Sequence, residues 1–143
     1  MKRFALAMAL VASAGSIMSG QKVVSEKELD QAMKTIGVTF RDLNAKLSTS
    51  RFKDAKVPLS LTRQLLALTG PFWQVQGKED AAKMVRHAVE QLDTLDALAS
   101  EDTVDGVAVA ATVKEVTSTC AACHAVYREG DAQAGYKMKR ESS

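Results

Sequence analysis

"SEKELDQAMKTIGVTFRDLNAKL", residues 25–47, decides the fold class. Ser25 and Glu28 stand at the S-x-x-E spacing in which a hydroxyl and a carboxylate cap each other's backbone amides at a helix start. Apolar residues then fall at Leu29, Met33, Ile36, Phe40, Leu43 and Leu47. Steps that alternate between four and three residues make a heptad-like seam, one stripe of a helix built to face other helices. At 1.5 Å of rise per residue the segment predicts a helix roughly 35 Å long.

The same reading carries down the chain. "SRFKDAKVP" (Ser50–Pro58) interrupts the seam and reads as a connection. Pro58 is expected at the first position of a second helix, where its missing N–H costs nothing. Leu61, Leu65 and Leu68 line one face of that helix. Gly70-Pro71 is expected to end it, the glycine taking a left-handed cap and the proline unable to continue. A third helix is predicted from Glu79 to Ala99, with Ala81, Met84/Val85, Ala88, Leu92, Leu95 and Leu98/Ala99 as its stripe. "SEDTVDG" (Ser100–Gly106) is a polar turn. The fourth helix has Val109, Val113, Val116, Cys120 and Tyr127 roughly on one side and is expected to end near Gly130. No sustained period-two run occurs, and no Asn-Gly or Asp-Gly joins two apolar segments, so strands are not expected. Four amphipathic helices on short connections predict an all-α protein, an antiparallel four-helix bundle.

Composition agrees. The 143 residues suffice for one domain, and 46% apolar with 25% charged residues is the balance of a packed core. The first twenty residues are excluded from it. Lys2 and Arg3 precede the uncharged apolar run Phe4–Gly15, and Ala12-Ser13-Ala14 fits a small-x-small cleavage pattern. This is the form of an export signal, cut at a position from 14 to 20, leaving residues 21–143 as a single domain in the periplasm. The run is too short to span about 30 Å of hydrocarbon, so no membrane attachment is expected after cleavage. Without Lys2 and Arg3 the chain has 17 basic and 17 acidic residues. Neutrality, and the lack of a basic cluster interleaved with aromatics, excludes nucleic acid as a partner. "KMKR" (Lys137–Arg140) reads as a solvated end, with a small docking patch as the alternative.

All the thiol chemistry lies in "TCAACHAVYR", residues 119–128. On a helix Cys120 and Cys123 are i and i+3, so their sulfurs leave from one face, with His124 beside them. C-x-x-C-H is the attachment signature of c-type haem. Two thiols at that spacing meet two vinyl groups on one edge of a porphyrin, and the histidine offers a nitrogen to the iron. One covalent haem c per chain is therefore expected, with Cys120 and Cys123 as thioether anchors and His124 as iron ligand. A structural zinc site needs four ligands, and only His87 is left to join these three. A thioredoxin-like pair expects a βαβ setting. A disulfide in an exported helical module stays open, although it gives His124 no role.

The motif on the last helix of a four-helix bundle, continued as C-x-x-C-H-x-x-Y-R through Tyr127 and Arg128, resembles the cytochrome c′ family, the class II c-type cytochromes. The resemblance implies His124 as the proximal ligand. It also implies a basic residue four positions later, here Arg128, and a tryptophan near the haem, matched by Trp73. Phe40 is a further candidate for the pocket. In that family the distal position lies on the first helix and aligns here with Met33, which also sits on the inward seam. A methionine there resembles the low-spin branch, in which its thioether binds the iron. Met84 is the main rival methionine, and His87 reads as a solvent-facing or hydrogen-bonded residue. The chain departs from the family at Leu29, where an arginine near the propionates is common. Lys34, Arg41 and Lys83 are candidates for that task.

With His124 and Met33 both bound, the expected function is electron transfer with redox partner proteins in the periplasm, not enzyme catalysis. The alternative is a high-spin cytochrome c′ that binds or detoxifies small gases such as NO or CO at an open distal site. The resemblance also implies that a homodimer is a common arrangement.

Overall fold

The computed structural model describes residue 23, residues 25–131 and residues 133–139; the segment read as an export signal lies outside them. Four helices follow in order, α1 (Glu26–Ser48), α2 (Phe52–Val75), α3 (Glu79–Leu98) and α4 (Gly106–Tyr127). Two short strands close the described chain, β1 (Arg128–Asp131) and β2 (Gly135–Met138). Short links make successive helices run antiparallel, as in a bundle. α1 packs along α2, α2 along α3 and α3 along α4, whereas α1 and α4 meet at few points. No described helix is long and apolar enough to cross a membrane.

α1 starts as its sequence dictates. The Ser25 hydroxyl accepts from the Glu28 N–H at 3.3 Å, and the Glu28 carboxylate accepts from the Ser25 N–H at 3.0 Å. The helix ends in a Schellman motif. The Ser50 N–H donates to the Leu47 carbonyl and the Arg51 N–H to the Lys46 carbonyl, with Ser50 at φ 56°. A serine thus holds the left-handed position that glycine usually takes.

α2 corrects the sequence reading at both ends. It begins at Phe52, inside the stretch read as a connection, and it runs through Pro58 and Gly70-Pro71 to Val75. Burial overrides the local breakers. Pro58 and Leu59 are buried near the start, and Phe72 and Trp73 are buried just after Pro71. Gly70 eases the second breach, because the steric conflict before a proline includes the preceding Cβ. The left-handed cap falls at Gly77, φ 66°. There the Gly77 N–H meets the Gln74 carbonyl and the Lys78 N–H meets the Trp73 carbonyl.

The inward face of α2 also differs from expectation. Leu66 is 6% exposed and Leu61 is 45% exposed. The buried stripe is Ala55, Leu59, Thr62, Leu66, Thr69 and Phe72–Trp73. The two buried threonines are satisfied within the helix, Thr62 Oγ1 donating to the Pro58 carbonyl and Thr69 Oγ1 to the Leu66 carbonyl, both at 2.7 Å. That removes the penalty for burying a hydroxyl and lets threonine act as a small core residue.

The other seams hold. Leu29, Ile36, Leu43 and Leu47 of α1 are buried, as are Ala81, Val85, Ala88, Leu92 and Leu95 of α3 and Val109 and Val116 of α4. On the surface, Arg63 of α2 grips Asp93 of α3, and Lys56 meets Asp96 at 2.9 Å. The Arg63 hydrogen bond holds the Asp93 carboxyl below its ordinary value. α4 opens on Asp105, whose carboxylate accepts from the Val107 and Ala108 amides. It ends at Tyr127, three residues earlier than expected, and the chain continues as a hairpin instead of a solvated tail.

Candidate functional site

α4 changes character along its length. Val109, Thr112 and Val116, on the inward face of its first three turns, are buried. One to three turns further on, Cys120, Cys123, His124 and Tyr127 are only half-buried. The opposing seam of α1 behaves likewise, with Met33 and Phe40 half-buried between the buried Leu29, Ile36 and Leu43. Met33, Phe40, Cys120, Cys123 and Tyr127 all pack against the same core cluster. These inward positions thus lie on two neighbouring helices that meet at few points.

Both cysteines are free thiols. Burial pushes the Cys120 thiol up from its ordinary value. Cys123 is pushed up to about 11, first by burial and then by Cys120 and the Asp80 carboxylate. Both are therefore neutral S–H groups near pH 7. A redox dithiol of the thioredoxin kind needs a lowered thiol pKa, the opposite of what this environment produces. His124 moves the other way. Burial, and then the positive charge of Arg128, lower its pKa, so the ring is held neutral with a lone pair free for coordination.

Arg128 is itself exposed at the start of β1, its guanidinium carbon 4.1 Å above the ring of Tyr136. Its influence on His124 is electrostatic. Trp73 is 3% exposed and lies against the Tyr127 ring, 4.9 Å between centroids. Its indole Nε1 is buried without a hydrogen-bond partner. A buried orphan donor is uncommon, and it is the kind of group that an acceptor on a bound molecule satisfies.

The remaining candidates lie apart. His87 is exposed on α3, its Nε2 3.1 Å from Gln91 Nε2. Met84 is half-buried on the same helix. Lys34, Arg41 and Lys83 are all exposed, and Lys34 is paired with Asp30 at 2.7 Å on its own helix. Among the described residues no group of three or more His, Cys, Asp or Glu side chains is placed to hold a metal ion, so a zinc site gains no fourth ligand.

Two features escaped the sequence reading. Gln91 is 8% exposed, and its Oε1 accepts from Thr119 Oγ1 at 3.0 Å, which ties α3 to the residue before Cys120. Its position three residues after Ala88 was the available signal. An open groove of about 620 Å³ runs beside it between His87 and Gln91 of α3 and Lys114, Glu115 and Thr119 of α4. That groove includes none of Met33, Cys120, Cys123 or His124, and every residue that lines it except Ala111 carries a polar or charged group, so it is a feature of the opposite flank of α4. The second feature is the partner of Tyr127: its hydroxyl donates to Asp80 at 2.6 Å and holds that carboxyl below its ordinary value. Comparison with protein families, curated proteins and solved structures yields no match to this chain.

Proposed function

We propose that this chain is a mono-haem c-type cytochrome of the periplasm, like the low-spin branch of the cytochrome c′ family, that passes electrons between partner proteins. The observation that carries the reading is a coincidence of motif and burial. Cys120, Cys123 and His124 lie half-buried on α4 where its inward side stops being sealed, with Ala121 and Ala122 exposed between them, and Met33 and Phe40 lie half-buried on the seam of α1. Aliphatic seams that alternate buried and half-buried residues leave unused apolar surface, and a large flat apolar group covers such surface.

The side chains suit haem. Cys120 and Cys123 would hold the haem, each S–H adding across one vinyl group so that sulfur gains a carbon bond and the hydrogen goes to the neighbouring carbon, with no net oxidation. Protonated, half-buried thiols resist stray oxidation until that addition. The depressed pKa of His124 keeps the imidazole in its iron-binding form. The orphan N–H of Trp73 is a donor for a propionate carboxylate. Met33 brings a thioether, a soft ligand that raises the potential relative to a second nitrogen. Leu29, buried one turn before Met33, adds apolar wall where a charged residue would draw in water. When bound, the haem supplies reversible one-electron exchange between ferric and ferrous iron. The chain's own part would be to hold the His124 imidazole and the Met33 thioether on packed helices, so that little rearranges between the two states.

The deciding experiment is the carbon monoxide response of ferrous protein matured in an export-competent host. A covalently coloured, low-spin protein indifferent to carbon monoxide supports the electron carrier. A five-coordinate spectrum that shifts with carbon monoxide gives the gas-binding alternative, with Met33 lining an open pocket. A colourless product leaves a helical module whose cysteines serve another purpose, and ends the haem reading.

A further inference from the structure

The C-terminal hairpin has no part in the reading so far, yet it is a built element. The Lys139 N–H donates to the Tyr127 carbonyl at 2.9 Å, and Arg128 stacks on Tyr136 across the strands. The strand register sets Met138 opposite Arg128. Its turn is tied by Asp131, whose carboxylate accepts from the Gln133 N–H at 3.0 Å and the Ala134 N–H at 2.7 Å. Gly130 and Gly135 have φ of 88° and 83°. A Cβ at Gly130 would collide with the backbone carbonyl of Gly135, so the strands approach as only glycine allows.

An isolated two-stranded hairpin is marginal in water. This one is anchored at both ends: β1 continues directly from α4, and β2 meets α1. It therefore bridges the two helices that otherwise meet at few points. Within β2, Gly135, Tyr136 and Lys137 are exposed, and Met138 alone turns in, half-buried against the core cluster on which Met33, Cys120 and Cys123 also pack.

Resting on the cytochrome reading, we propose that the hairpin is a wall of the haem site, covering an edge of the group that α1 and α4 leave open, with Met138 as the residue in contact. Thioether side chains are polarisable and adapt to irregular or flat surfaces. Excluding water at that edge favours the ferrous state, since a drier surrounding disfavours the extra charge of the ferric one.

The test compares the matured protein with the full-length chain carrying Cys120→Ser and Cys123→Ser, by hydrogen exchange. Amides of residues 135–138 should exchange about tenfold slower in the haem-loaded protein, because a docked element opens less often. Gly130→Ala, which disrupts the turn, and Met138→Ala, which leaves it intact, should each keep covalent haem and the low-spin spectrum while losing that protection and shifting to a lower potential. Equal exchange in loaded and thiol-less chains, with the potential unchanged in both variants, overturns the role of the hairpin and leaves the cytochrome reading standing. A wild-type protein that acquires no covalent haem overturns both.

Discussion

The Tyr127 hydroxyl donates a 2.6 Å hydrogen bond to Asp80, joining the last residue of α4 to the first turn of α3. The same ring lies against Trp73 near the end of α2. Three helix ends are thus fastened at one point, one turn from Cys123 and His124. Elements that must hold two thiols and an imidazole in fixed relation need such support from neighbouring side chains.

Tyr127→Phe removes only the hydroxyl. The Asp80 carboxyl, held low chiefly by that bond, should return towards its ordinary value. Because its folded value is depressed, its contribution to stability is present above the ordinary carboxylate range and is lost as pH falls through the lower, folded value. The variant should lack that contribution, and an NMR titration of Asp80 reads the shift directly. An unmoved Asp80 midpoint would show that the bond does not form in solution.

The inward face of α2 is tested by two leucines. Leu66→Ala should destabilise by about 2–5 kcal/mol, the usual result of truncating a buried leucine. Leu61→Ala should change stability by less than about 0.5 kcal/mol, as at an exposed site. Denaturant unfolding of the two variants measures the difference. The reverse order would restore the face that periodicity alone suggested.

Two backbone positions predict gains. Ser50 holds φ 56° in the cap of α1, so Ser50→Gly should stabilise by about 1 kcal/mol by relieving a left-handed conformation. Gly37 lies inside α1, and a Cβ added there meets nothing within 4 Å. Gly37→Ala should therefore stabilise by about 0.5–1 kcal/mol through helix propensity. Thermal unfolding checks both. A loss at Gly37 would argue against open space on that face of α1.

Met33→Ala addresses the iron. In haem-loaded protein it should convert a low-spin spectrum to high spin and admit carbon monoxide, while covalent attachment through Cys120 and Cys123 persists. Retention of the original ligand-field features would transfer the sixth position to another side chain, with Met84 the next to substitute.

Most of the architecture was legible in residue order because amphipathic periodicity is a one-dimensional signal. The seam from Leu29 to Leu47, the stripe from Ala81 to Leu95 and the capping box at Ser25 each follow from spacing and local hydrogen bonding. The C-x-x-C-H run was equally plain, since its chemistry depends on neighbours three and four residues apart. The course of α2 was not. Pro58 and Gly70-Pro71 are local breakers, and only the burial of Leu59, Phe72 and Trp73 against other helices outweighs them. The hairpin was hidden for a similar reason: β1 and β2 carry little strand pattern of their own, and their position depends on contacts with α1 and α4. The sequence by itself determined a helical chain with paired thiols and an imidazole on one face, because those properties repeat within a turn or two. The tertiary structure alone decided where the helices run on, which side of α2 turns inward and what spans α1 and α4, because those outcomes depend on surface buried between residues far apart in the chain.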